Sequence, residues 1–171
     1  MDITKLLEAP GLRYGVFSFP FVKLYLAGND RFLAMAAFAG TPDAEALTRA
    51  LKRGTALSVD AALAFLRAYM NGVAAPLPVM DMGPYTEKEK AIYRELVKVK
   101  FGSTLSYGEL AARAGLPRAG RFAGNAMAKN LFPVLVPCHR VIRGDGRPGN
   151  YTGGVDIKLN LLAHEGVAFG P

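Results

Sequence analysis

Residues 105–130 read LSYGELAARAGLPRAGRFAGNAMAKN, and this stretch sets the fold of the second half of the chain. Ser106 followed by Glu109 is a capping box: the serine oxygen takes the amide three residues on, and the glutamate reaches back to the serine amide. It opens a short helix, LAARAG, that stops at the turn Gly115-Leu116-Pro117. A second helix is predicted from about Arg118 to Lys129. Two short helices about a glycine-containing turn, the second one basic, form a helix-turn-helix pattern. The second helix is small and cationic: Ala119, Gly120, Ala123, Gly124, Ala126 and Ala128 beside Arg118, Arg121 and Lys129. A glycine costs a helix about 1 kcal/mol relative to alanine, so two of them predict close approach to something. A neighbouring helix is one candidate; a nucleic-acid groove, where bulk is excluded and arginine reaches between bases, is the other.

Immediately downstream, residues 133–141, PVLVPCHRV, deliver the only cysteine of the chain, Cys138, beside the first of two histidines, His139. A lone cysteine is by default a small buried hydrophobe. Here the Val-Pro approach fixes the backbone, His139 is placed to act as a base, and Arg140, Arg143 and Arg147 are expected to raise a positive potential that favours thiolate. NYTGG at 150–154 is a polar, flexible loop suited to closing over a ligand. LNLLAHEG at 159–166 ends a helix with Glu165 just before its terminating glycine. An acid is disfavoured at a helix C-terminus, so Glu165 is expected to have a partner, whereas His164 reads as a helix-end cation.

Upstream, the runs YGVFSF, FVKLYLAG and RFLAMAAFAG between Leu12 and Gly40 alternate apolar with polar or small residues, with Gly28-Asn29-Asp30 as a turn. They predict two or three antiparallel strands. Thr41-Pro42 is an N-cap followed by proline at the first helical position, opening a helix that runs to Gly54. Ser58 is expected to cap a second helix ending at Asn71-Gly72. Residues 75–84, APLPVMDMGP, with three prolines and a glycine, read as a linker between domains at 1–80 and 81–171. Beyond it, Glu87 to Val99 puts Ile92, Leu96 and Val99 on one helical face. The fold class is therefore α+β: a small antiparallel sheet with helices, then a mostly helical domain.

Composition narrows the chemistry. The chain has 171 residues, 51% of them hydrophobic and 20% charged, a globular composition with no apolar run near the roughly 18 residues of a membrane span. Residues 1–11 lack the apolar centre of a signal peptide, and a soluble, cytoplasmic protein is expected. One cysteine and two histidines cannot assemble the usual zinc sets, and no EF-hand loop or acidic cluster is present, so neither metal nor cofactor is expected. The net charge of +7 lies mostly in residues 81–171, which hold 13 basic and 8 acidic residues against 8 and 6 in residues 1–80. A polyanion partner would bind there.

From residue 85 to 171 the sequence resembles the O6-alkylguanine-DNA alkyltransferases, which move an alkyl group from guanine in DNA onto their own cysteine. The resemblance rests on Leu105-Ser106-Tyr107, the AGLPRAGRFAGNAMAKN helix, VPCHRVI, NYTGG and LLAHEG, in family order and spacing. Residues 1–80 match only in layout, and the resemblance implies a small ribonuclease-H-like sheet domain with a C-terminal winged-helix or helix-turn-helix domain. It implies Cys138 as alkyl acceptor, His139 as its base through a bridging water, and Glu165 as the carboxylate orienting that histidine. Tyr107 corresponds to the proton donor toward guanine N3, and Asn130 to the buried amide tying the helix pair to the active-site turn. Arg121 corresponds to the side chain that fills the stack when the base is flipped out of a minor-groove complex. Arg118, Ala119, Gly120, Phe122, Ala123, Gly124 and Lys129 fall on the implied DNA-binding surface, although the family usually has a small residue where Phe122 stands. Val141, by its carbonyl, with Tyr151, Thr152 and Gly153 corresponds to the guanine pocket. The implied partner is double-stranded DNA carrying O6-alkylguanine, met by a monomer with no obligate protein partner, no membrane and no cofactor. Two other readings remain at this level: a non-catalytic winged-helix DNA binder, which leaves VPCHR and Glu165 without purpose, and a Cys-His hydrolase forming a thioester.

Overall fold

The computed structural model describes residues 3–169; Met1, Asp2, Gly170 and Pro171, at the two ends of the sequence-based domains, lie outside it. The chain divides into two compact units, 1–81 and 82–171.

In the first unit a short helix α1 (Thr4–Leu7) precedes strands β1 (Arg13–Ser18), β2 (Lys23–Gly28) and β3 (Leu33–Phe38). They form an antiparallel meander with β2 in the middle. Gly28 is required at the bulge before the β2–β3 turn, because a Cβ there would lie 2.3 Å from the Ser58 hydroxyl. Helix α2 (Pro42–Ala50) starts where the sequence predicts, with the Thr41 hydroxyl accepting from the Ala44 amide. It stops at Ala50 rather than Gly54. Residues 52–54 instead flank β1: Tyr14 donates to the Lys52 carbonyl and Gly54 to the Tyr14 carbonyl. On the opposite edge, Leu33 donates to Val79 and accepts from Asp81, so part of the expected linker covers the sheet. Both exposed ladders thus find partners, which an edge strand needs in order not to recruit another chain. Helix α3 (Leu57–Met70) has Ala56, not Ser58, as its N-cap. The Ser58 hydroxyl lies inside the first turn and donates to the Asn29 carbonyl at 2.6 Å.

The second unit begins with α4 (Glu87–Leu96), opened by a capping box of Thr86 and Glu89. Ile92, Leu96 and Val99 are buried as the spacing predicts, although the helix itself ends at Leu96. Strand β4 (Leu105–Ser106) leads into α5 (Tyr107–Arg113) through the predicted capping box of Ser106 and Glu109. After the turn comes α6 (Gly120–Ala128), which starts two residues later than expected because Arg118 takes φ +63° and breaks the helical path. A 3-10 turn (Cys138–Arg140), strand β5 (Val141–Ile142) parallel to β4, and α7 (Val155–His164) complete the unit. Helix α4 grips the end of α6: the Tyr93 hydroxyl donates to the Ala126 carbonyl at 2.6 Å, the Tyr85 hydroxyl accepts from the Leu131 amide at 2.9 Å, and Glu89 pairs with Lys129 at 2.7 Å.

Candidate active site

The apolar run between α6 and the 3-10 turn is a buried, sharply folded connection. The Val136 amide returns to the Phe132 carbonyl at 2.8 Å, and Val134 sits at φ +73° inside the bend. For a β-branched residue that conformation costs about 1–3 kcal/mol and persists only where the surroundings over-determine it. Those surroundings are Leu131, Phe132, Leu135 and Val136, all buried. Asn130 staples the connection from inside. Its Nδ2 donates to the Val136 carbonyl at 2.8 Å and to Cys138 Sγ at 3.0 Å, while its Oδ1 accepts from the Phe132 amide at 2.9 Å. Asn130 therefore couples the end of α6 to the sulfur.

Cys138 is almost wholly buried, and burial pushes its thiol up from the ordinary value. The Asn130 amide, the Tyr151 hydroxyl and the Lys158 cation act in the opposite direction. Beside it His139 is fully buried, with Nε2 2.6 Å from Glu165 Oε1. Glu165 is the C-cap of α7 and receives three more kinds of donor: Arg140 Nε at 2.9 Å, Arg140 Nη2 at 3.0 Å, and the Gly102 amide at 3.0 Å. Desolvation alone would raise the Glu165 carboxyl, but His139 and Arg140 outweigh it and draw the value down to about 2. Burial lowers the His139 imidazolium more than Glu165 restores it, so the ring rests neutral. The expected partner of Glu165 is thus three partners, His139, Arg140 and the Gly102 amide. Arg140 is not the source of a positive potential at sulfur, because its charge is spent on Glu165 and the Val99 carbonyl. Arg143 and Arg147 are exposed side chains paired with Asp145. The uncompensated cation is Lys158, fully buried on α7, whose Nζ donates to the Val141 carbonyl at 2.6 Å and to the Pro148 carbonyl.

A cavity of about 680 Å³ opens onto Cys138, lined by Tyr107, Gly124, Met127, Tyr151 and Thr152 among others. Tyr107 is the first residue of α5, and burial raises its phenol, keeping the hydroxyl a proton donor. That hydroxyl and the Arg143 side chain crowd Gly149 (φ +72°), where a Cβ would lie 3.3 Å from each. Gly153 and Val141, both expected at the pocket, are not among the residues lining this cavity; the Val141 carbonyl accepts one hydrogen bond from Lys158.

The α6 expectations divide. Arg121, Arg118 and Lys129 are exposed, Lys129 with its charge tied to Glu89, while Ala119, Gly120, Phe122 and Gly124 are partly exposed. Ala123 is completely buried and so cannot lie on a binding surface. A Cβ on Gly120 would meet the Gly108 backbone at 3.5 Å and one on Gly124 the Tyr107 ring at 3.8 Å, both ordinary van der Waals contacts, so packing among the described residues does not by itself require glycine at either position. His164 stacks edge-on against Phe101, with centroids 5.8 Å apart. Among the described residues no three His, Cys, Asp or Glu side chains are grouped to hold a metal ion.

Sequence reasoning missed the roles of Arg140, Lys158, Gly102 and Gly149. The available signal for Lys158 was that it is the one lysine or arginine of the stretch IKLNLLAHE, seven residues and two turns before Glu165, hence on the same face.

The chain is similar to known proteins. Residues 87–167 match the family model described as 6-O-methylguanine DNA methyltransferase, DNA binding domain. The methylated-DNA–protein-cysteine methyltransferase of Rattus norvegicus is 38% identical over 93% of this chain and 84% of its own length. That of Mus musculus is 37% identical over 95% of this chain and 85% of its own. Among solved structures, the Mycobacterium tuberculosis O6-methylguanine methyltransferase has a TM-score of 0.77 at 29% identity, covering 94% of this chain and 96% of that one. A structure of Mycobacterium tuberculosis OGT in complex with DNA gives 0.75 at 29%, covering 90% and 92%. The chain belongs to the methylated-DNA–protein-cysteine methyltransferase family.

Proposed function

We propose that this protein repairs DNA by direct reversal, transferring the alkyl group of an O6-alkylguanine to Cys138 once per molecule. The observation that carries the reading is that two hydrogen-bonded groups meet at adjacent residues, Asn130 on Cys138 and Glu165 with Arg140 on His139, beside a cavity lined by both Cys138 and Tyr107. In the reaction His139 takes the thiol proton through water, on the ring nitrogen not committed to Glu165. The thiolate then attacks the alkyl carbon, forming the S–C bond as the C–O6 bond breaks. The electron pair leaves on guanine, and Tyr107 supplies a proton at N3 so that the base departs neutral. Glu165 orients His139 and stabilises it when charged, in the logic of a nucleophile, base and orienting carboxylate. The product is a thioether, which water does not cleave, so turnover is single.

Residues 82–171 are read as the catalytic and DNA-binding domain and residues 1–81 as a ribonuclease-H-like scaffold. Exposed Arg121 and Arg118 at the start of α6 are read as the duplex contacts, with Arg121 replacing the flipped base in the stack. Tyr151 and Thr152 are the pocket walls. The partner is double-stranded DNA met by a monomer in the cytoplasm, without cofactor; no helix among the described residues is long and apolar enough to cross a membrane. Mass spectrometry after mixing with an O6-methylguanine duplex tests the reading. A gain of one methyl on Cys138 supports it; a labile acyl adduct, or no adduct with tight DNA binding, favours the hydrolase or the non-catalytic binder.

A further inference from the structure

The charges buried around Cys138 do not cancel. Arg140 and Glu165 form a pair, His139 rests neutral, and Lys158 adds a positive charge with no acidic side chain at ion-pair distance among the described residues. Lys158 and Glu165 project from the same face of α7 toward the 3-10 turn, and Nζ meets only two carbonyls, Val141 and Pro148. A buried ammonium without a counter-ion is costly, and such a charge is retained where it answers a charge that forms in use. The titratable groups it acts on are Cys138 and His139 of the 3-10 turn; Tyr151 stands on Cys138, and Glu165 with Arg140 stands on His139. Of these only Cys138 has a negative charge left to offer. While Lys158 keeps its proton, the cluster becomes neutral only when Cys138 is a thiolate.

We infer that Lys158 is a positioning residue for the transfer step, a preformed counter-charge that makes the Cys138 thiolate attainable in a buried site while its two carbonyl bonds hold β5 to the loop at Pro148. This rests on Cys138 being the acceptor. Burial pulls the Lys158 ammonium down to about 8, opposed by the charge of Cys138. The counter-charge is therefore present at neutral pH and lost as pH rises above that value.

The test uses the single cysteine, which makes every thiol signal that of Cys138. The rate of alkylation by iodoacetamide is followed against pH in the wild type and in Lys158→Gln, which keeps a donor for the carbonyls but drops the charge. Lys158→Gln is expected to move the profile up by about one pH unit, a roughly tenfold slower reaction at pH 7. In the wild type the rate is expected to stop its tenfold rise per unit near pH 8, where Lys158 loses its proton. Superimposable profiles in Lys158→Gln and wild type overturn the inference, as does a wild-type rate that climbs unbroken through pH 8; should Lys158→Gln not fold, Lys158→Met and the wild-type profile decide. An O6-methylguanine duplex is assayed in parallel. Absent methyl transfer with a shifted iodoacetamide profile defeats the repair reading alone, whereas normal transfer with an unshifted profile defeats the role of Lys158.

Discussion

The two units of this chain bury different things. Seven polar or charged side chains are buried among the described residues, and the first unit contributes only Ser58, which its Asn29 carbonyl satisfies. The second contributes Glu89, Asn130, His139, Arg140, Lys158 and Glu165. Strand β3 is buried at every position and is made of leucine, alanine, methionine and phenylalanine. An apolar interior gains stability roughly in proportion to area and tolerates conservative change. A buried charge network loses much of its Coulombic gain to desolvation and fails when one member is removed. The sheet unit is thus built for stability, and the helical unit spends stability on reactivity.

This contrast can be broken in five ways, beginning with the largest effect. Cys138→Ser should abolish methyl transfer completely and leave duplex affinity nearly unchanged, since phosphate contacts dominate binding; residual demethylation measured by mass spectrometry would remove Cys138 from the mechanism. Glu165→Gln should slow transfer by roughly 10-fold to 10,000-fold. It should also destabilise the protein by about 3–5 kcal/mol, because Arg140 is left buried without its partner. Chemical denaturation and single-turnover kinetics on the same preparation read both, and an unchanged melting curve would contradict the network.

The same cluster predicts acid sensitivity. His139 has a lowered value in the folded state, so the unfolded chain takes the proton first and stability is lost as pH falls below 6.5. Glu165, held near 2 against 4.5, contributes stability that is complete above 4.5 and disappears as pH falls to about 2. That contribution is on the order of 3 kcal/mol, and a stability curve flat from pH 6 to pH 3 would refute it.

In the sheet unit, Leu26→Ala should cost about 2–5 kcal/mol by opening a cavity at a fully buried site. It should leave the reactivity profile of Cys138 unmoved, and a shifted thiol profile would end the division of labour. The smallest effect is that of Arg121→Ala. Repair within a duplex should fall roughly tenfold while reaction with the free base stays constant, since only the duplex has a stack to fill. Equal effects on both substrates would exclude a flipping role.

Much of this was legible before any coordinates. Capping signals act over three or four residues, so the starts of α2 at Thr41 and α5 at Ser106 follow from local spacing, and alternation identifies the strands of the meander. Cys138, His139 and Glu165 stand out by residue type and position. Local rules also failed where the chain had a non-local use for a residue. Lys52 and Gly54 left their helix to cover β1, Val79 and Asp81 left the linker to cover β3, and Ser58 left the cap to hold the Asn29 carbonyl.

At the site, the sequence by itself singled out Cys138, His139 and Glu165 as candidates, two on one turn and one at a helix end. Only the tertiary structure decided their charges. Arg140 looked like the source of positive potential because it adjoins Cys138 in the chain, yet it is neutralised by Glu165 from 25 residues away. Lys158 had drawn no reading from the sequence, yet among the described residues it is the fully buried cation that meets two carbonyls and no acidic side chain. Which charges cancel in a buried cluster depends on distances of 3 Å between elements remote in sequence, and electrostatic energy in a low-dielectric interior is set by those distances and not by order along the chain.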